Sequence, residues 1–273
     1  NMKLPSLLDF DVAVDLWKIK PDLYIDLRPF PYGMVEQAYA YSFGRDVAVS
    51  SKEELAAAID EKTKIGLVLP NNMISSKLIL VPMEKSVEEV IEDSFGQDCA
   101  VDSFFIGDIG LERAYVVNAI DAASKTIIES QLPIFEFSII RAIPASFAVS
   151  QFLVSLKDIN GTFLIVETRP YEMYLYACAV MEDKIVTLSS DVVKANIKDV
   201  LSEKIVFMNH KAVRFYRADS ILQVFIVGEN SPMPLDEISD VVLSALRGKA
   251  KVSIEVVEES FPAIKGAWIF ENS

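Results

Sequence analysis

At 273 residues, 51% of them hydrophobic and 24% charged, the chain can bury a substantial core and is too apolar to be disordered. Its 40 Asp and Glu against 26 Lys and Arg leave a net charge of −14, so its average surface repels a phosphate backbone and disfavours nucleic acid, while a basic protein partner is steered towards it. Cys99 and Cys178 lie far apart, neither at metal-ligand spacing from another Cys or His, and read as buried thiols of a reducing cytoplasm.

In chain order, alternation and β-branched content predict strands at Leu23–Leu27, Ala38–Phe43, Lys64–Leu69, Lys77–Val81, Ser103–Ile106 and Ala114–Asn118. Two capping-box patterns open helices between them: Ser51-Lys-Glu-Glu before Leu55, Ala58 and Ile59, and Ser86-Val-Glu-Glu before Val90 and Ile91. A third helix is predicted over Ala119–Gln131, then a strand over Ile134–Ile140 and an apolar helix opened by Pro144. From Gly161 the pattern becomes a meander, with strands at Thr162–Val166, Tyr171–Met181 and Lys184–Leu188 and a Glu182-Asp183 turn. A strand at Ile221–Val227, a helix at Leu235–Leu246 and a strand at Val252–Val257 follow. The order is mixed α/β in two lobes that divide near Asn160, with no solenoid repeat and no low-complexity linker.

No run reaches the ~18 apolar residues of a membrane-spanning helix; the longest candidate, Ile139–Leu156, is broken by Arg141, Pro144 and Gln151. There is no signal segment at the start. Asn1-Met2 reads as the remnant of a cleaved tag, which leaves room for a natural continuation past Ser273, such as a membrane anchor.

Residue types that carry chemistry are scarce. His210, the one histidine, sits in Met-Asn-His-Lys with no adjacent nucleophile and reads as a surface or capping residue. There is no His-Glu-x-x-His, Cys-x-x-Cys or Walker loop. Asp108-Ile109-Gly110 falls between two predicted strands and reads as a hairpin turn, and Glu88, Glu89, Glu92 and Asp93 as a solvated helix face.

The strand Ile65-Gly-Leu-Val-Leu-Pro70, the strand Ser76-Lys-Leu-Ile-Leu-Val-Pro-Met83 and the helix Ser86-Val-Glu-Glu-Val-Ile-Glu-Asp93 together resemble the PilM family of the type IV pilus platform and the related cytoplasmic domain of GspL in type II secretion. Ala114–Asn118, the helix to Gln131, the strand after Pro133 and Ala142-Ile-Pro-Ala-Ser-Phe147 continue the similarity, which covers nearly the whole chain in order. It implies an α/β, actin-like (ribonuclease H-like) fold of two lobes, each centred on a βββαβα unit. Residues 1–160 would form the first lobe, with a small ferredoxin-like subdomain inserted at about 50–132, and residues 161–273 the second.

Actin-like ATPases hold nucleotide with two Asp-x-Gly phosphate hairpins and a Gly-Gly loop under the adenosine. At the corresponding places this sequence has Asp26-Leu27-Arg28-Pro29, Glu167-Thr168-Arg169-Pro170 and Val227-Gly228-Glu229-Asn230. Arginine fills the space a phosphate needs, and proline removes an N–H donor. Asp26, Arg28, Glu167, Arg169 and Gly228 are therefore degenerate nucleotide-binding positions; no catalytic residue, metal or cofactor is expected, and weak Mg-ATP binding stays open because arginine can itself pair with phosphate.

The resemblance then implies a non-catalytic cytoplasmic scaffold, peripheral to or anchored in the inner membrane. It would bind the secretion or pilus motor ATPase and inner-membrane platform proteins, touch the membrane through partners or a C-terminal anchor, and could form a homodimer. The alternative is a nucleotide-binding, PilM-like ATPase with unusual phosphate loops. Ser86–Phe95 and Lys77–Pro82 are the nominated partner surfaces.

Overall fold

The structure is a computed structural model that describes residues 20–30, 38–44, 47–49, 51–95, 99–132, 139–181, 184–194, 198–216, 218–247 and 251–272. The chain divides into two compact units, with the change at Ala145/Ser146.

The first unit is built on β1 (Leu23–Phe30), β2 (Ala38–Ser42), β3 (Ile65–Leu69) and β7 (Ile139–Pro144), in the order β2-β1-β3-β7. β1 runs antiparallel to β2 and parallel to β3, which is parallel to β7. A single bridge between Tyr41 and Val49 continues the sheet beyond β2. Helices α1 (Lys52–Ala58) and α3 (Ala122–Gln131) cover one face. There Leu23, Ile25 and Leu27 meet Leu55, Ile59, Leu67, Ile128 and Leu132. The period-2 alternation of β1 thus turns Tyr24, Asp26 and Arg28 to the opposite face. Gly66 is needed beside them: a Cβ there would lie 2.4 Å from the fully buried Tyr24 ring.

Between β3 and α3 stands a second, antiparallel sheet of β4 (Ser75–Pro82), β5 (Ala100–Ile109) and β6 (Glu112–Ile120) in the order β4-β6-β5. Helix α2 (Val87–Phe95) packs Ile91 against Ile79, Val81, Val101 and Val117, giving this segment its own core. Three strands in that order and direction are those of a ferredoxin-like unit; no fourth strand joins them among the described residues. Gly110, at φ +64, turns the hairpin between β5 and β6, as the Asp108-Ile109-Gly110 reading expects.

The second unit holds β8 (Gly161–Thr168), β9 (Glu172–Met181), β10 (Lys184–Lys194), β11 (Gln223–Val227) and β12 (Ser253–Val257) in the order β10-β9-β8-β11-β12. The first three form the predicted meander, and β8, β11 and β12 are parallel. The Glu182-Asp183 turn itself lies outside the described residues. Helices α5 (Lys198–Phe215) and α6 (Leu235–Ala245) cover one face, where Leu201, Ile205, Met208, Ile238 and Val242 meet Leu164, Val166 and Leu175. The other face carries Cys178, whose thiol lies 3.2 Å from Ser150 of α4 (Ala145–Leu156). α7 (Pro262–Phe270) crosses α4 so closely that a Cβ on Gly266 would fall 1.7 Å from the Ala148 carbonyl.

Several sequence expectations change. The third helix begins at Ala122, because Asp121 caps it by accepting from the Ser124 N–H at 2.7 Å, and Ala119 and Ile120 belong to β6. The strand predicted from Ile134 is described only from Ile139; it runs through Pro144, and the helix opens at Ala145. α5 and α7 are not anticipated, and β10 runs on to Lys194. Cys178 is buried, but Cys99 is only half-buried. Both serines cap their helices, but only the second closes a box: Ser86 and Glu89 bond reciprocally at 3.2 and 3.4 Å, whereas Ser51 accepts from the Glu54 N–H and the Glu54 carboxylate accepts from the Tyr41 hydroxyl.

Candidate functional site

The structure brings the two predicted loops to matching places in their sheets. In each unit the acid and the arginine project from the first strand on the face away from that unit's covering helices α1 and α3, or α5 and α6.

In the first unit Arg28 is fully buried and Asp26 is 2% exposed. The Asp26 carboxylate accepts from the Arg28 guanidinium through Nε at 3.0 Å and NH2 at 2.8 Å, and its Oδ1 also accepts from the Arg28 backbone N–H at 3.0 Å. This geometry needs an irregular strand, and the β1–β2 register shifts between Asp26 and Phe30. Pro29, with no N–H for the ladder, falls within that irregularity.

In the second unit Glu167 is 2% and Arg169 5% exposed. Their ion pair is longer, 3.3 Å, and two tyrosines join it. Tyr176 donates its hydroxyl to Glu167 at 3.3 Å, the guanidinium lies 5.3 Å from the Tyr174 ring centre, and Tyr174 stacks on Tyr176. The cross-strand register Glu167↔Tyr174 and Ile165↔Tyr176 puts these groups on one face. The Arg169 N–H donates to the Glu172 carbonyl at 2.9 Å, closing a turn with Pro170 and Tyr171 at its centre.

Gly228 reaches the same loop. Its φ of +142 and its tight approach exclude a side chain, since a Cβ would stand 2.5 Å from both the carbonyl oxygen and Oγ1 of Thr168. Its N–H donates to Val257 O at 3.1 Å. Glu167, Arg169 and Gly228 are therefore neighbours in the second unit, and Asp26 and Arg28 form their own cluster in the first.

Chemically, a phosphate loop offers backbone N–H groups and positive charge to an anion. Here the N–H of Arg28 and that of Arg169 are each taken by an acceptor of the same loop, and each guanidinium faces the carboxylate two residues before it. Sequence reading found both arginines but not the tyrosine pair behind the second. The alternation Tyr174-x-Tyr176 on a strand paired with Glu167 was the available signal.

The remaining candidates are dispersed. His210 is exposed on α5, and Glu88, Glu89, Glu92 and Asp93 all face solvent on α2. No group of metal-ligating side chains occurs among the described residues, and none of their helices is long and apolar enough to cross a membrane.

No protein-family model matches the chain, and no curated protein is similar to it in sequence. Among solved structures it is similar to a chain of the PilM-PilN type IV pilus biogenesis complex, with a TM-score of 0.55 at 13% identity over 93% of this chain and 99% of that one. The fold is actin-like. The actin-like order is plain in the second unit, whose five-stranded sheet is a meander followed by two parallel strands. In the first unit, among the described residues, the Val49 bridge alone marks the place of the third strand. Other similar structures are the cytoplasmic domain of EpsL, an inner membrane component of the type II secretion system of Vibrio cholerae (12% identity, 92% and 94% coverage, TM-score 0.45), and a Bacteroides thetaiotaomicron protein with an actin-like ATPase fold (10%, 97% and 99%, 0.44).

Proposed function

We propose that this chain is a non-catalytic scaffold of a bacterial type II secretion or type IV pilus inner-membrane platform. In this reading it acts on the cytoplasmic side of the inner membrane and holds the motor ATPase and platform proteins. The placement is supported by the actin-like fold, the likeness to a chain of a pilus biogenesis complex, and the PilM- and GspL-like segments from Ile65 to Asp93.

The observation that carries the silent reading is the state of the two loops. At the phosphate positions both the backbone donor and the guanidinium are committed inside the protein. An incoming phosphate would have to displace a buried carboxylate from each arginine, and separating a buried pair is costly. Titration calorimetry with Mg-ATP should give no saturable heat at millimolar nucleotide. Micromolar binding that is abolished by Arg169→Asp would sink the silent reading, and failure of the chain to co-purify with a pilus or secretion motor ATPase would sink the platform reading.

A further inference from the structure

The charge of this protein is unevenly placed. Residues 204–217 and 247–251 together hold seven of its 26 Lys and Arg and none of its 40 Asp and Glu. The fold brings the described cations Lys211, Arg214, Arg247 and Lys251 to one edge of the second unit, while Lys204, earlier on the helix, is paired with Asp191. α5 and α6 lie on the same sheet face, tied near their starts by Lys198–Glu237 at 2.9 Å. They lead into β11 and β12, parallel neighbours that begin in register at Gln223 and Ser253. Their C-terminal ends therefore share the edge where those strands start.

The C-terminal half of α5 is also apolar on the wrong side. Ile205, Met208 and Ala212 face the core, as a helix on a sheet requires. Yet Phe207 is 60% and Phe215 75% exposed, and Val206, Val213 and Tyr216 are exposed with them. Among these lie His210 and Arg214, also exposed, and Lys211, whose ammonium lies 6.0 Å from the Tyr216 ring centre. On α6 the exposed Leu243 is followed by the exposed Arg247, and Lys251 precedes β12. Of the nearby acidic residues, Glu255 is paired with Lys157, and the exposed Asp219 and Asp240 border the basic patch, where they set its limits.

We propose that this edge, the C-terminal half of α5 with the end of α6, is a docking surface for an anionic lipid bilayer. Cationic heads with aromatic and aliphatic side chains between them, on a convex helix face, match an interface that is charged outside and apolar a few ångströms in. The rest of the molecule favours the orientation: at a net charge of −14 it is repelled by an anionic surface, so approach by this basic edge is preferred. Nucleic acid shares the charge but gains little from exposed valine and leucine. The surface is independent of the arginine loops and of their proposed silence.

Flotation of the full chain with phosphatidylglycerol-containing vesicles tests this directly, with pure phosphatidylcholine vesicles as the neutral arm. Binding is expected to the anionic vesicles only, weakening as salt rises. Lys211→Glu with Arg214→Glu should lower the partition coefficient by about thirty-fold or more. Lys62→Glu with Lys85→Glu, an equal charge change at exposed lysines of the first unit, should leave it near the wild-type value. Phe215→Trp should give a blue-shifted emission on binding, in a protein whose net charge is unaltered. No binding to anionic vesicles, equal loss in both charge-reversal pairs, or binding of an oligonucleotide or an acidic helical peptide in place of vesicles would each overturn the proposal.

Discussion

Asp26–Arg28 and Glu167–Arg169 occupy the same place in their respective sheets, yet the first pair is drawn together by three short hydrogen bonds from Arg28 to Asp26, whereas the second is longer and joined by two tyrosines of the next strand. Asp26, with the shorter side chain, takes both guanidinium contacts and the backbone N–H of the residue it pairs with, at 2.8 to 3.0 Å. Glu167 reaches Arg169 at 3.3 Å, and the arginine leans on Tyr174 while the glutamate takes the Tyr176 hydroxyl. One methylene of difference in the acid goes with a short, triply bonded pair in the first unit and a longer one, joined by tyrosines across a hairpin, in the second.

The largest expected effect follows from that concentration. Arg28→Ala takes both guanidinium contacts from a carboxylate that is 2% exposed, and should destabilise the protein by about 3–5 kcal/mol in urea unfolding. The matching Arg169→Ala should cost less, about 2 kcal/mol, because the pair is longer and Glu167 keeps Tyr176. Asp26→Asn with Arg28→Met should recover more than half of the single loss, since removing both charges leaves no stranded ion. Equal costs for the two arginines would remove the distinction between the loops.

A second substitution probes what packs on the second loop. Gly228→Ala places a Cβ 2.5 Å from the Thr168 carbonyl at a φ of +142, where an L-residue is strained, and should cost about 3 kcal/mol by the same measurement. The contacted atom is backbone, so the β8–β9 turn cannot yield as a side chain would. A neutral result would mean that Gly228 does not buttress this loop.

What the sequence disclosed and what it hid divide along the same physical line. Local signals were legible: the Ser51 and Ser86 caps, the Gly110 turn, the meander after Gly161 and the two Arg-Pro steps all act within a few residues. α5 was hidden because Val206, Phe207, Val213 and Phe215 blur its helical period, being apolar where a soluble helix is polar. α7 had a signal, Pro262 in its first turn, but its N-cap Phe261 makes no side-chain cap bond. The arginines could be aligned from sequence, whereas their closure onto Asp26 and Glu167 depends on the β1 irregularity and the β9 register, which are tertiary facts.

The smallest effect is the sharpest test of the difference between the loops. Tyr176→Phe removes only the hydroxyl that donates to Glu167, leaving a ring of the same shape to stack on Tyr174. The packing term is conserved, so the change isolates one hydrogen bond to a buried charge, which should appear as a loss of about 1–2 kcal/mol in urea unfolding. In the first unit the corresponding places on β2, opposite Asp26 and Tyr24, are taken by Ala40 and Ser42, so no tyrosine stands where Tyr174 and Tyr176 do. If Tyr176→Phe is silent, Glu167 is held without the hydroxyl's help, and the tyrosine pair contributes packing alone. If it costs what is expected, the Glu167–Arg169 loop is held by a cluster spanning two strands, and freeing its arginine for an anion would require more than one substitution.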